Sequence, residues 1–113
     1  MTLPMFAVPV DRTDSDERFT PRWVFEALGE RFDLDPASPM DAVTHVPADR
    51  VFTREDDGLA QPWEGFVWLN PPYSNATPWA ERFMAHGDGI WLGVFANAKW
   101  TQRMLRLAGS VWL

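Results

Sequence analysis

Asn70-Pro71-Pro72-Tyr73 is the segment of this 113-residue chain whose residue types could carry chemistry. It follows the apolar run Gly65-Phe66-Val67-Trp68-Leu69 with no spacer. Two consecutive prolines fix φ at about −65° and remove two N–H donors, and the residue before each is pushed to extended geometry. The product is a stiff loop that holds its carbonyl oxygens and the Asn70 side chain in fixed directions, with the Tyr73 ring as a flat face for stacking. Such a loop suits methyl transfer to an aromatic amine. The lone pair of adenine N6 is delocalised into the ring, so the amine is a poor nucleophile. Two acceptors, the Asn70 amide oxygen and the Pro71 carbonyl, can bind its two N–H groups and stabilise the positive charge that develops on nitrogen. No general base is needed, in keeping with a loop that lacks His, Cys and carboxylates. What remains is in-line placement against a methyl sulfonium, an orientation effect. Inside duplex DNA the amine is out of reach, so the base would be flipped out and stacked, here on Tyr73.

The elements that must position this loop can be read from punctuation and periodicity. Residues 1–19 have no period and are rich in Asp, Arg and Pro; they read as a flexible N-terminal arm, leaving residues 20–113 as the folded domain. Thr20-Pro21 predicts a helix start, with a hydroxyl N-cap and proline at the first helical position. Trp23, Val24, Ala27 and Leu28 supply its apolar face, and Gly29 lies near its end. Phe32-Asp33-Leu34-Asp35 predicts a short strand stopped by Pro36. Residues 38–65 are irregular, with a short element at Arg50–Thr53. The run 65–69 suits a strand buried on both faces. Thr77-Pro78 predicts a second helix cap, with Trp79, Ala80, Phe83 and Met84 inward and Gly87 as the stop. Ile90–Ala96 predicts another buried strand, Lys99–Ala108 a helix and Ser110–Leu113 a last strand.

Strands alternating with helices imply an α/β fold, an open and mostly parallel sheet covered by helices. Such sheets bind ligands outside the carboxyl ends of their strands. That rule selects Asp35-Pro36-Ala37-Ser38 after the first strand and Asn70-Pro71-Pro72-Tyr73 after the second. Ending on a strand is abrupt for this architecture, so a minimal or C-terminally truncated version is expected.

Composition narrows the class. The chain is 46% hydrophobic with seven Trp and eight Phe, so it can build a core and is not a disordered segment. It has no cysteine, which excludes a disulfide scaffold, a thiolate metal site and a Cys nucleophile. His45 and His86 have no partner at metal-ligand spacing, so no metal is expected. No apolar run approaches the ~18 residues of a membrane span, and the N-terminus lacks a basic signal-peptide region. A soluble, cytoplasmic protein is the expectation. The net charge of −6 argues on its face against nucleic acid. The charge is uneven, however: residues 1–57 carry thirteen Asp and Glu against six Arg, whereas residues 76–113 carry a small basic excess.

The sequence resembles the phage-type DNA N6-adenine methyltransferases, which use S-adenosylmethionine. The resemblance rests on Thr20-Pro21-x-Trp23-Val24-Phe25-x-x-Leu28 and Phe32-Asp33-Leu34-Asp35-Pro36-Ala37-Ser38. It continues through Asp56-Asp57-Gly58-Leu59-x-x-x-Trp63-x-Gly65 and Trp68-Leu69-Asn70-Pro71-Pro72-Tyr73-Ser74. It implies a Rossmann-like methyltransferase domain acting on DNA in the cytoplasm of a bacterial host. Asn70, Pro71, Pro72 and Tyr73 would form its catalytic loop. Asp35, Pro36 and Ala37 would hold the methionine and ribose parts of the cofactor, with Thr20 and Pro21 approaching the same end. Asp57 would bind the cofactor's adenine amine. The glycine-rich turn usual after the first strand is replaced here by Pro36-Ala37-Ser38-Pro39.

Plainer readings stand beside these. Asn-Pro-Pro-Tyr can be only a rigid turn, Asp35 a strand end, Asp57 part of a solvated acidic turn, and Thr20 and Thr77 simple caps. The tryptophans read as core, with Trp79 the one beside the loop, and Arg103 and Arg106 as a solvated face. The same loop would also serve a cytosine N4 or a glutamine amide, and a non-catalytic remnant that binds DNA or protein is the rival from another class.

Overall fold

The computed structural model describes residues 4–6, 20–39, 44–93 and 99–112. They form a parallel sheet of six strands: β1 (Pro4–Phe6), β2 (Phe32–Asp35), β3 (Ala48–Val51), β4 (Val67–Leu69), β5 (Gly89–Leu92) and β6 (Ser110–Trp112). Three helices cover it: α1 (Arg22–Leu28), α2 (Ala76–His86) and α3 (Lys99–Leu107). The strand order is β3-β2-β4-β5-β1-β6. From β2 the chain adds β3 on one side and β4 on the other, so the direction of winding reverses at β2 and the carboxyl ends of β2 and β4 lie side by side.

The strand residues alternate between two cores, as period-2 geometry requires. Phe32, Trp68, Ile90 and Leu92 face α1 and bury Val24 and Phe25. Leu34, Val67, Leu69 and Trp91 face the other way, onto Trp79, Ala80 and Phe83 of α2 and Trp100 and Met104 of α3. The result is three layers in which β4 and β5 are buried on both faces while the edge strand β3 is exposed, and it explains why β4 and β5 read as unbroken apolar runs. Register between β2 and β4 is pinned at Leu34 opposite Val67. The Asp33 carboxylate accepts the Phe66 N–H at 2.7 Å. Gly65 makes the bend into β4 with φ +79°, where a side chain would overlap the Asp33 carboxylate.

Several expectations are corrected. Residues 4–6 fall within the segment read as an arm, yet they form a strand paired in parallel with both β5 and β6. Proline is tolerated at the first position of a strand, and three residues are too few to show a period. Helix α1 starts at Arg22 with Pro21 as N-cap and no side-chain cap bond, so Thr20 does not cap it. Helix α2 starts at Ala76, not after Thr77, because the one-turn helix Tyr73–Asn75 leads straight into it. Pro78 then lies in the first turn, where its missing N–H has no intrahelical partner to lose. The irregular stretch carries a real strand, β3, slightly before the expected element. Both αL stops hold: Gly29 donates to the Phe25 carbonyl and Gly87 to the Phe83 carbonyl, each at 3.0 Å. Residues 94–96 of the expected third strand lie outside the described residues.

Phe83 is fully buried between α2 and the sheet, its ring 5.7 Å from that of Trp91. Phe83→Ala should cost about 3–5 kcal/mol of stability, a large part of the roughly 5–15 kcal/mol of a domain. A urea denaturation midpoint well below wild type, with the slope unchanged, is the expected result.

Candidate active site at the carboxyl ends of two neighbouring strands

Asn70 leaves β4 at the point where the winding reverses, and the loop after β2 faces it. Between them lies a cavity of about 440 Å³, within the range of about 300–1,000 Å³ that small-molecule sites occupy. Pro36, Ala37 and Ser38 supply one wall, Asp57 and Gly58 another, and Asn70, Pro72 and Trp79 a third. Five of the sequence-nominated residues therefore meet here: Pro36, Ala37, Asp57, Asn70 and Pro72. Thr20 and Asp35 line a second, tiny space of about 10 Å³ together with Ala37 and Asn70. Asn70 is thus shared by both. Pro21, Pro71 and Tyr73 line neither; Pro71 is buried beneath the loop, and Tyr73 is half-buried in the one-turn helix that follows.

The walls are fixed by backbone bonds. The Phe52 N–H donates to the Asp35 carbonyl and the Ser38 N–H to the Phe52 carbonyl, both at 2.9 Å, which ties the loop after β2 to the end of β3. Two one-turn helices, Arg54–Asp56 and Gly58–Ala60, then meet at Asp57. The first is closed by Thr53, whose N–H donates to the Asp56 carboxylate at 2.9 Å. Asp57 has φ +54°, the only positive φ at a non-glycine among the described residues. Asp tolerates this region better than most residues but still at a cost, and strain of this kind gathers at ligand sites. Gly58 follows because nothing larger fits: a Cβ there would overlap the Pro36 carbonyl oxygen.

Sequence reasoning missed part of the wall. Thr53, Arg54 and Asn75 line the cavity without having been singled out, as does Leu59, a residue of the resemblance with no role given to it. Trp79 is buried and stacks on Trp63 with ring centroids 6.3 Å apart. Trp63 in turn donates its indole N–H to the Gly58 carbonyl at 2.8 Å. The signal was present as Gly58 and Trp63 at a spacing of five, but it takes the fold to show that this spacing clamps a turn.

Two buried groups carry the electrostatics. The Asp35 side chain is 2% exposed, and burial raises its pKa from 3.8 to about 7, against the opposing pull of the Ala37 N–H that donates to it at 3.3 Å. The second group is Asn70. Its Nδ2 donates to the Thr20 hydroxyl at 3.2 Å, while its Oδ1 is buried with no hydrogen-bond partner. An unmet buried acceptor costs about 1–3 kcal/mol, and in a cavity wall it marks where a ligand donor belongs. No cluster of His, Asp or Glu among the described residues could hold a metal ion, and none of their helices is long and apolar enough to cross a membrane.

Comparison with known proteins points the same way. Residues 9–88 match the family described as Dam, DNA N-6-adenine-methyltransferase. The chain is similar, at 32% identity over 111 residues, to a protein of Haemophilus phage HP1 (strain HP1c1) named DNA N-6-adenine-methyltransferase. That match takes in 88% of this chain and 62% of the relative, so the chain spans less than two thirds of the relative's length. No solved structure matches it.

Between pH 3.8 and about 7 the folded chain holds a proton on Asp35 that the unfolded chain releases. Stability therefore falls as pH rises through that window and is level above it with respect to this group. Asp35→Asn removes the contribution. Relative to wild type the variant should gain about 3–5 kcal/mol between pH 4 and pH 7.5, read from urea denaturation at several pH values; parallel pH profiles for the two proteins would contradict it.

Proposed function

The chain belongs to the DNA N-6-adenine-methyltransferase family, and from that premise we propose that it moves a methyl group from S-adenosylmethionine to the N6 amine of an adenine flipped out of DNA. The observation that carries the reading is the buried, unpartnered Oδ1 of Asn70, a residue that lines the cavity. A buried acceptor without a donor fits an amine that brings its own N–H, and it becomes a better acceptor as that amine turns cationic in the transition state.

The residues fit the cofactor. The cavity has the volume of a nucleoside-sized ligand site, and Gly58 lets two of its walls pack together at the Pro36 carbonyl, where any side chain would collide. Asp35 would meet the cofactor's α-ammonium, which would pull its carboxyl back to the charged form by supplying the opposite charge that burial withholds. Pro36 and Ala37 would lie along the methionine and ribose part, and Asp57, at the mouth, would accept from the adenine amine. The stacked Trp79 offers an aromatic wall. When bound, the cofactor supplies an electrophilic methyl on a positively charged sulfur.

The chain's own groups do the rest. Asn70 Oδ1 accepts one N–H of the target amine, and the Pro71 carbonyl accepts the other. Together they would orient the nitrogen toward the cofactor's methyl and favour a tetrahedral geometry in which its lone pair is freed from the ring. Pro71 and Pro72 fix the loop so that neither acceptor needs to reorganise as charge develops. Tyr73 stacks on the flipped base. The proton lost from the methylated nitrogen leaves to solvent, since no group of the loop is a base. Cytosine N4 presents the same planar amine to the same acceptors; the family match is what favours adenine.

Asn70→Ala removes the acceptor without touching either core. We expect methylation of adenine-containing DNA to fall by about 10²–10³-fold, with S-adenosylmethionine affinity within a few-fold of wild type. Labelled-methyl transfer followed by nucleoside analysis of the digested DNA reads the rate and identifies the base. A folded wild-type chain that binds no S-adenosylmethionine, or an Asn70→Ala variant as active as wild type, would remove the assignment.

A further inference from the structure

Thr20 precedes a helix, and its type and place suggest a cap, but its hydroxyl is not used that way: Pro21 is the N-cap of α1 and no side chain caps it. Thr20 is 6% exposed. Its Oγ1 lies 3.2 Å from Asn70 Nδ2, fifty residues away in sequence, and accepts a hydrogen bond from it. The other end of the same amide is the buried oxygen that has no partner.

A primary amide has a donor end and an acceptor end of nearly the same shape. Rotated by half a turn about its last torsion, Asn70 would aim its NH₂ where the oxygen now stands, and two donors would oppose each other across the target amine. Something must choose the end. Thr20 is placed to do so as an acceptor: its hydroxyl takes a hydrogen bond from Nδ2 and leaves Oδ1 as the free end, and because a hydroxyl can also donate, the choice holds while the Thr20 O–H is turned away from Asn70. The choice is made largely away from bulk solvent: Thr20 is buried, and both residues border a space of about 10 Å³ beside Asp35, with room for about one water.

We propose that Thr20 is a positioning residue that orients the Asn70 amide, keeping its oxygen turned toward the substrate. This rests on the reading of Asn70 as the acceptor of the target amine. It also gives the Thr-Pro pair a separate purpose for each member: proline sets the start of α1, and the hydroxyl reaches across to the loop after β4. Proline at 21 helps, since it holds Thr20 extended and keeps it out of the helix.

The test compares Thr20→Val, which keeps the shape and loses the acceptor, with Thr20→Ser, which keeps the acceptor. In Thr20→Val the kcat for adenine methylation should fall about tenfold, the effect of one lost oriented hydrogen bond, while the Kd for S-adenosylmethionine stays within twofold. Thr20→Ser should restore most of the rate. The Asn70 side-chain NH₂ signals in ¹⁵N-resolved NMR, identified by their loss in Asn70→Ala, should shift and exchange faster with water in Thr20→Val and remain near wild type in Thr20→Ser. Unchanged kcat and unchanged NH₂ signals in Thr20→Val overturn the proposal. So does weaker cofactor binding with kcat intact, which would make Thr20 a cofactor contact. A wild-type chain that methylates no adenine overturns the functional reading of Asn70, and the amide orientation then stands or falls on the NMR signals alone.

Discussion

The parallel pairing of β2 with β4 is the constraint from which the site follows. An exposed Asp33–Phe66 hydrogen bond and the glycine bend at 65 set that pairing at Leu34 opposite Val67. With the register fixed, the residues that follow each strand emerge at one edge: Asp35-Pro36-Ala37 from one, Asn70-Pro71-Pro72 from the other. A slip of one residue would exchange the two faces of β4 and send Trp68 into the wrong core. The same slip would carry Asn70 away from Thr20. Packing and site geometry are therefore enforced by the same few contacts, and neither can drift without the other.

The sequence is readable where local signals and burial agree. The loop 70–73 follows an apolar run directly, so its place at a strand's carboxyl end could be inferred from the chain alone, and so could the facing position of Asp35-Pro36-Ala37. The layer arrangement follows from β4 and β5 being apolar at every position. The signal fails where a residue's role is set by something distant. Thr20 has the local grammar of a cap, and only the fold brings Asn70 to it. Asn75 and Arg54 are ordinary polar residues of turns until the strands bring those turns to one opening. Residues 4–6 are too short a stretch to carry a period, yet the sheet has a place for them between β5 and β6. Thr77-Pro78 misleads for the opposite reason: a proline fits anywhere in a first turn, so it marks that turn and not its first residue.

Stability and chemistry pull against each other at this edge. Asp35 is held in a setting that favours its uncharged form, Asp57 in a backbone region that suits glycine, and Asn70 with an acceptor unmet. Each costs about 1 kcal/mol or more in the ligand-free fold, and all three sit on one cavity or its neighbour. The two aromatic cores below are what tolerate this. A ligand bringing a positive charge to Asp35 and an N–H to Asn70 would relieve two of the three at once, so its binding would draw on energy already stored in the fold.

The identity of residue 70 follows from its neighbour. Asn70 and Asp35 border the same space of about 10 Å³. A carboxylate at 70 would be an equally good acceptor for an amine, and in isolation a stronger one. Beside Asp35 it would place two acids in one low-dielectric pocket, where like charges oppose ionisation and one of the pair would keep its proton. A protonated acid presents a donor as readily as an acceptor, and the amine would then face an ambiguous partner. An amide has no such freedom once its nitrogen is engaged by Thr20: it stays neutral at every pH at which the fold survives, and its oxygen is always an acceptor. Asparagine at 70, threonine at 20 and a buried aspartate at 35 are in this sense one arrangement, in which the charge is kept at the end that would meet a cation and away from the end that would meet an amine.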